Sequence, residues 1–404
     1  MNKSKSTDLI HGHIAKSIFW FSVPLLIGNL FQQLYNTVDA YVVGNFVSKE
    51  ALAAVGASSP IINMLIGFFM GLATGAGVII AQYFGAGDNG RLKKAVHSSA
   101  ALTLVMSLLL TVIGIIGTNP MLHAIGIPAD VFHDSSTYLM IYFAGISFNL
   151  IYNMGSGILR AMGDSKRPLY FLIIACIVNI ILDFLFVKYL HMGVAGAGYA
   201  TLIAQAISAI LVVIVLIRSE GPHQLFWKQI RFHFPILKKI IMVGLPTGIQ
   251  QSIVSLSNVI VQSYVNAFGS SVVAGYSATI RIDGFVNLPL QSFNMAVTTF
   301  VGQNIGAKQY ERVKKGSRIA LWMTMALFFF GESFIAIFNS EPDVIQAGRT
   351  MQLAFVPFYI MLPVVQIYNG VLRGAGKSSV PMYIMVFNFV ILRQIYLAIV
   401  TQMT

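Results

Sequence analysis

Apolar runs of bilayer length follow one another along nearly the whole chain, and this feature restricts the fold more than any other. In hydrocarbon a backbone must satisfy its own hydrogen bonds, which a run of about 20 apolar residues does by forming a helix. Eleven such spans can be marked: 14–43, 52–80, 95–117, 133–159, 168–189, 193–217, 241–264, 273–302, 319–338, 345–372 and 381–401. Several exceed the minimum crossing length, so tilted or bent helices are expected. Only 10% of the 404 residues are charged, against 56% hydrophobic. A soluble domain carries about 25% charged residues. A soluble enzyme or binding module is therefore excluded, as is a disordered chain. The fold class is an all-α polytopic membrane protein. Its one cysteine, Cys176, allows no intrachain disulfide and no cysteine metal cluster.

The formal net charge of +12 would suit nucleic acid if the bases shared one face. They sort instead by side of the membrane. Of the 26 Lys and Arg, twenty-one fall before span one or after an even-numbered span; Lys49, Lys188 and Arg349 fall on the opposite side, and Arg281 and Arg393 lie within spans. By the positive-inside rule the N-terminus is cytoplasmic, in a multi-pass protein of the cytoplasmic membrane. Nucleic acid is not a partner. Span one carries Pro24, Asn29 and Asp39 and is too long for a cleaved signal peptide.

The chain also repeats itself. SGILRAMGDSKRPLY (156–170) aligns with NGVLRGAGKSSVPMY (369–383), with seven of fifteen positions identical. VIIAQYFGAGDNGRLKKA (78–95) aligns with TFVGQNIGAKQYERVKKG (299–316), with six of eighteen identical. The repeat unit holds an even number of helices, so both copies enter from the same side and are parallel repeats. The predicted organisation is an N-lobe of six helices (1–217), a basic cytoplasmic linker (218–240) and a C-lobe (241–404). Five spans are present in the C-lobe, and a twelfth helix is expected beyond Thr404. Phe226, Trp227, Phe232 and Phe234 among the linker bases suggest an interfacial segment.

Ionisable residues inside spans are costly and mark function by default. Four acids qualify: Asp39, Asp183, Asp283 and Glu332. Asp39 ends a polar stripe on span one (Asn29, Gln32 or Gln33, Asn36) with Tyr35 one turn before it. Asn179 lies one turn before Asp183 on span five, so the two share a face. Counting from the span ends places Asp39, Asp183 and Thr201 of span six at similar depths. Two carboxylates, a carboxamide and a hydroxyl could share one proton or bind a small hard cation such as Na⁺. The plainer alternative is that each acid only hydrogen-bonds a neighbouring helix. Further polar stripes suit a wet central cavity: Asn149, Asn153 and Ser156; Gln251, Ser255, Asn258 and Gln262; Asn287, Gln291 and Asn294. Arg281 and Asp283 sit two residues apart on span eight.

Two motifs need weighing as enzymatic signals. GAGD (85–88) matches the GxGD pattern of intramembrane aspartyl proteases, yet Asp88 falls in a loop and its repeat counterpart is Gln309. GVLRGAGKS (370–378) resembles a phosphate-binding loop with one glycine out of register, and it follows a membrane span instead of a strand. Neither supports an enzyme.

FSVPLLIGNLFQQLYNTVDAYVVGNF (21–46), EALAAVG (50–56), the LRAMGDSKRP and LRGAGKSSVP loops and VNIILDFLFV (178–187) together resemble the multidrug and toxic compound extrusion (MATE) transporters over nearly the whole chain. The resemblance implies two pseudo-symmetric six-helix lobes around a central cleft. It also implies antiport: export of cationic amphipathic organic compounds in exchange for H⁺ or Na⁺. No cofactor is implied, and a monomer surrounded by membrane lipid is the expected working form. By resemblance, Asp39 is the first-helix carboxylate, with Asn179, Asp183 and Thr201 as its partners in a cation site. Pro24 is the point at which the first helix bends. Tyr35, Gln32, Asn36, Asn149, Asn153, Gln251, Asn258, Arg281 and Asp283 are the expected cavity residues. The chain lacks the seventh-helix carboxylate of the NorM-like branch, and RIDGF (281–285) looks like the DinF-like branch. A flippase for lipid-linked saccharides, from the same superfamily, is the second reading; it would need a basic cavity.

Overall fold

The computed structural model describes residues 7–266, 270–329 and 361–403. Its helices are α1 (Ile14–Phe46), α2 (Lys49–Gly85), α3 (Asn89–Ala124), α4 (Ala129–Ala161), α5 (Lys166–Asp183, continued as a π-helical Phe184–Tyr189) and α6 (Gly193–Arg218). After the connection come α7 (Phe234–Asn266), α8 (Ser270–Gly306), α9 (Tyr310–Phe329), α10 (Met361–Gly374) and α11. The last runs as Ser379–Val386, a π-helical Phe387–Leu392 and Arg393–Met403. No strand occurs among the described residues.

Among the described residues, seven helices are long and apolar enough to cross a membrane: α1, α2, α3, α5, α6, α7 and α11. On α3 the residues Leu104, Leu108, Val112 and Ile116 recur every four positions and are all exposed, a stripe that only lipid would cover. Helices α2, α3, α8 and α9 run beyond the predicted spans at the basic end, because hydropathy marks only the apolar part of a helix. Helix α7 starts at Phe234 with Pro235 in its first turn, so Lys238 and Lys239 belong to the helix.

Short local signals set the turns. Ser48 caps α2 by accepting from the Ala51 N–H at 3.0 Å, and Asp88 caps α3 by accepting from the Arg91 N–H at 2.9 Å. Asp88, the residue of the protease-like motif, is thus a helix cap. Gly163 and Gly376 occupy equivalent points of the repeat and both take a left-handed φ, +86° and +77°, that a side chain would disfavour.

Helices α1–α6 pack together, α7–α11 pack together, and the halves meet mainly through α1 and α2 against α7 and α8. At the basic end the contact follows the repeat. Gln82 of α2 donates to the Gly374 carbonyl at 3.0 Å, and its counterpart Gln303 of α8 donates to the Ala161 carbonyl at 2.8 Å. Gly374 and Ala161 are themselves repeat counterparts, so one pseudo-twofold axis relates the two bonds. Higher up, Gly71 and Gly75 of α2 lie against Gly244 and Gly248 of α7 with no room for a Cβ. This is a small-xxx-small crossing on both helices. The segment before α1 closes the same end: Thr7 N–H donates to Gly163 O at 3.0 Å, and Asn304 donates to Leu9 O at 3.1 Å. Arg312 donates to the carbonyls of Leu9 and Gly12.

Candidate functional site

Two polar features occupy the interior, and α1 separates them. The first is a buried cluster inside the first half. Asp39 (α1), Asn179 and Asp183 (α5) and Thr201 (α6) are all buried, Asn179 and Asp183 completely. The Thr201 hydroxyl donates to Asp39 Oδ2 at 3.3 Å. The Asn179 amide lies between the acids. With its nitrogen turned to them, the orientation that pairs donors with acceptors, it donates to Asp39 Oδ1 at 3.3 Å and Asp183 Oδ2 at 3.1 Å. Asp183 Oδ1 is buried and has no hydrogen-bond partner among the described residues. A buried acid with an unmet oxygen beside a second acid is a place where a proton or small cation lowers the energy.

The backbone explains why these side chains meet. Asn179 and Asp183 are one turn apart on the inner face of α5, and the helix widens into its π-helical stretch immediately after Asp183. Such local irregularities are frequent at functional positions. Tyr35, one turn before Asp39, faces the same interior. Its hydroxyl is buried, in the surroundings of Thr201 and of Tyr138 and Tyr142 of α4. The two α4 tyrosines, absent from the sequence-based candidates, tilt against each other with ring centroids 6.3 Å apart.

The second feature is a central cavity of about 1610 Å³ between the halves. Its walls are rich in carboxamides: Gln32, Gln33 and Asn36 of α1, Gln250, Gln251 and Asn258 of α7, and Asn287, Gln291 and Asn294 of α8. Among the expected cavity residues, Gln32, Asn36, Gln251 and Asn258 do line it. Tyr35 does not; it turns into the first half. Asn149 and Asn153 are not among the lining residues either. Asn153 donates to the carbonyl and side-chain oxygens of Asn149, so these two bond within α4, whereas the buried Ser156 hydroxyl has no partner among the described residues. Arg281 and Asp283 lie on α8, but their side chains are outside the described part of the structure, and Glu332 is outside it altogether.

The charged lining residues that sequence reasoning missed are arginines. Arg160 and Arg373, counted above as loop bases, end α4 and α10 and line the cavity. The signal was present in the repeat, which aligns them with each other. Arg373 Nη2 donates to Gln250 Oε1 at 2.7 Å. Arg393, from the middle of α11, also lines the cavity and donates to Ser257 Oγ at 3.1 Å and Asn258 Oδ1 at 3.2 Å.

A model of the MatE family matches residues 24–185 and again 246–399, one copy in each half. The chain belongs to the MATE family. Its relatives include the probable multidrug resistance proteins YoeA and YpnP of Bacillus subtilis. YoeA is 30% identical, the match covering 92% of this chain and 84% of that protein. YpnP is also 30% identical, covering 98% and 90%. Among solved structures, MATE in the bent conformation superimposes with a TM-score of 0.86 at 25% identity, covering 96% of this chain and 88% of that one. This MATE protein is an integral membrane transporter of the multidrug-efflux kind, not an enzyme. Its two pseudo-symmetric lobes surround the central cavity.

Proposed function

We propose that this transporter is a secondary antiporter in which ion binding at Asp39, Asn179, Asp183 and Thr201 drives export of amphipathic organic compounds through the central cavity. One observation carries the reading: α1 holds Asp39 in the buried cluster while Gln32, Gln33 and Asn36 of the same helix line the cavity. A change at one site therefore has a rigid element through which to act on the other. Pro24 supports a bend in that element, because it removes one backbone donor inside an otherwise continuous helix.

Both H⁺ and Na⁺ suit two carboxylates. With the Asn179 nitrogen turned to the acids, Asp183 Oδ1 is left without a donor and a proton fits there; with the amide oxygen turned to them, the same four residues offer Na⁺ an all-oxygen set. We take H⁺ as the coupling ion to test first. We place the basic end in the cytoplasm, so the cavity, sealed there by the Gln82 and Gln303 bonds, is read as open outward. On this reading residues 1–217 and 241–404 are the moving lobes and 218–240 their linker. We assign the chain to the DinF-like branch on RIDGF (281–285). A monomer in lipid suffices, since one chain holds both sites, and no cofactor is required.

Cationic cargo is what the resemblance implies, and ethidium is the probe for it; carboxyfluorescein is its anionic counterpart. In proteoliposomes, transport of either probe is expected to follow an imposed pH gradient and to fall to background in Asp39→Asn. Transport indifferent to both pH and Na⁺ gradients, or unchanged in Asp39→Asn, would overturn the antiport reading.

A further inference from the structure

Among the described lining residues, the cavity's charge is opposite to what a receptor for cations needs. Three arginines, Arg160, Arg373 and Arg393, line it, and no Asp or Glu is among its described lining residues. The acids of the first half, Asp39 and Asp183, lie outside the lining and are engaged with Asn179 and Thr201.

Arg160 and Arg373 form the closest thing in the molecule to a built site. Each immediately precedes the residue whose carbonyl accepts a glutamine from the other half, Ala161 and Gly374, so the same pseudo-twofold axis that seals the basic end relates them. They stand one on each side of the cavity floor. The four ion pairs among the described residues involve neither. The polar partner of Arg373, Gln250, is neutral, and Arg373 Nε is buried with no hydrogen-bond partner among the described residues. A guanidinium with a shielded Nε and no counter-charge beside it is a group that a bound anion stabilises. The planar fork of the group matches a carboxylate or phosphate through two parallel hydrogen bonds. Above the floor, Met70, Met295, Leu362 and Met385 supply polarisable apolar wall among the carboxamides.

We propose that the cavity floor is an anion site, in which Arg160 and Arg373 together hold the carboxylate or phosphate of an amphipathic organic cargo whose apolar part lies against the methionine-bearing wall. This rests on the reading of the cavity as the cargo site, and it replaces cationic cargo with anionic. Arg393, bonded to Ser257 and Asn258, is not a required ligand.

The test is equilibrium binding of carboxyfluorescein and of ethidium to the purified full-length protein, by fluorescence polarisation. Carboxyfluorescein is expected to bind at least tenfold more tightly than ethidium. Arg160→Gln and Arg373→Gln should each weaken it about tenfold, the loss of one charge-assisted hydrogen bond. Arg160→Lys and Arg373→Lys, which keep the charge but lose the fork, should bind with affinity between wild type and the Gln variants and exclude misfolding as the cause. Preference for ethidium, or unchanged carboxyfluorescein binding in both Gln variants, overturns the proposal. Phosphatidylglycerol in mixed micelles distinguishes a lipid source: if it displaces the dye and alone raises thermal stability through these arginines, the anion is a headgroup and the soluble-cargo proposal fails. Normal carboxyfluorescein binding by the native protein, with gradient-independent transport, would sink the antiport reading while leaving the anion site standing.

Discussion

At the scale of single residues, the buried cluster depends on donors as much as on its acids. Thr201 supplies one of them. In Thr201→Val the shape is kept and the 3.3 Å hydrogen bond to Asp39 is lost. A buried hydrogen bond contributes about 1 kcal/mol, and more where its acceptor is charged. Thermal unfolding of the purified variant should show a loss of about that size, with gradient-driven transport slowed roughly tenfold, while Thr201→Ser behaves as wild type. Full transport in Thr201→Val would mean that the hydroxyl only packs. The four residues of this cluster were legible in the sequence because acids within apolar runs are rare and depth can be counted from span ends. Arg160 and Arg373 were not read as cavity residues, since hydropathy ends a span at the first charge and cannot tell a wet cavity floor from a cytoplasmic loop. Asn149 and Asn153 misled for a related reason: a polar stripe can be satisfied inside its own helix.

Among the elements, the connection between the halves carries its own sensitivity to pH. It is pinned to α3 by two bonds: Phe226 N–H donates to His97 Nε2 at 3.1 Å, and His233 N–H donates to Ser98 Oγ at 3.0 Å. Trp227 and Phe234 point outward, 60% and 74% exposed, and Lys93 stacks over Phe226 at 4.7 Å, an arrangement suited to a membrane surface. Within it, burial pushes the His223 pKa below its ordinary value, and the neighbouring Arg167 adds to the effect. A depressed histidine keeps its neutral form in the folded protein. The unfolded chain takes up the proton first as pH falls below about 6.5. The stability that neutral His223 contributes is thus present above that pH and lost below it. The melting temperature of the purified protein should fall between about pH 7 and pH 5.5, with a shallower slope in His223→Asn; identical slopes would remove His223 from the account. The aromatic, basic character of this segment was visible in the sequence, whereas its attachment to α3 was not, because it rests on backbone donors that no residue pattern reveals.

For the whole molecule, the internal repeat is the most informative feature. Two aligned pairs, Gln82 with Gln303 and Ala161 with Gly374, become a reciprocal pair of bonds across the closed end. The glycine crossing of α2 and α7 lets the halves approach as closely as backbones allow. The seal combines these two neutral hydrogen bonds with those of Asn304 and Arg312 to the Leu9 carbonyl, and none of the four ion pairs among the described residues crosses it. On this mechanism, occupancy of the Asp39 cluster sets whether this end is open. Asn89 and Tyr310 are exposed repeat counterparts at the starts of α3 and α9, one on each half of the closed end. The direct measurement is the distance between spin labels at Asn89→Cys and Tyr310→Cys, in a Cys176→Ala background, from about pH 8 to pH 5. The distance distribution is expected to shift with pH in the otherwise native protein and to stay fixed in Asp39→Asn; the same pH response in both would contradict the claim.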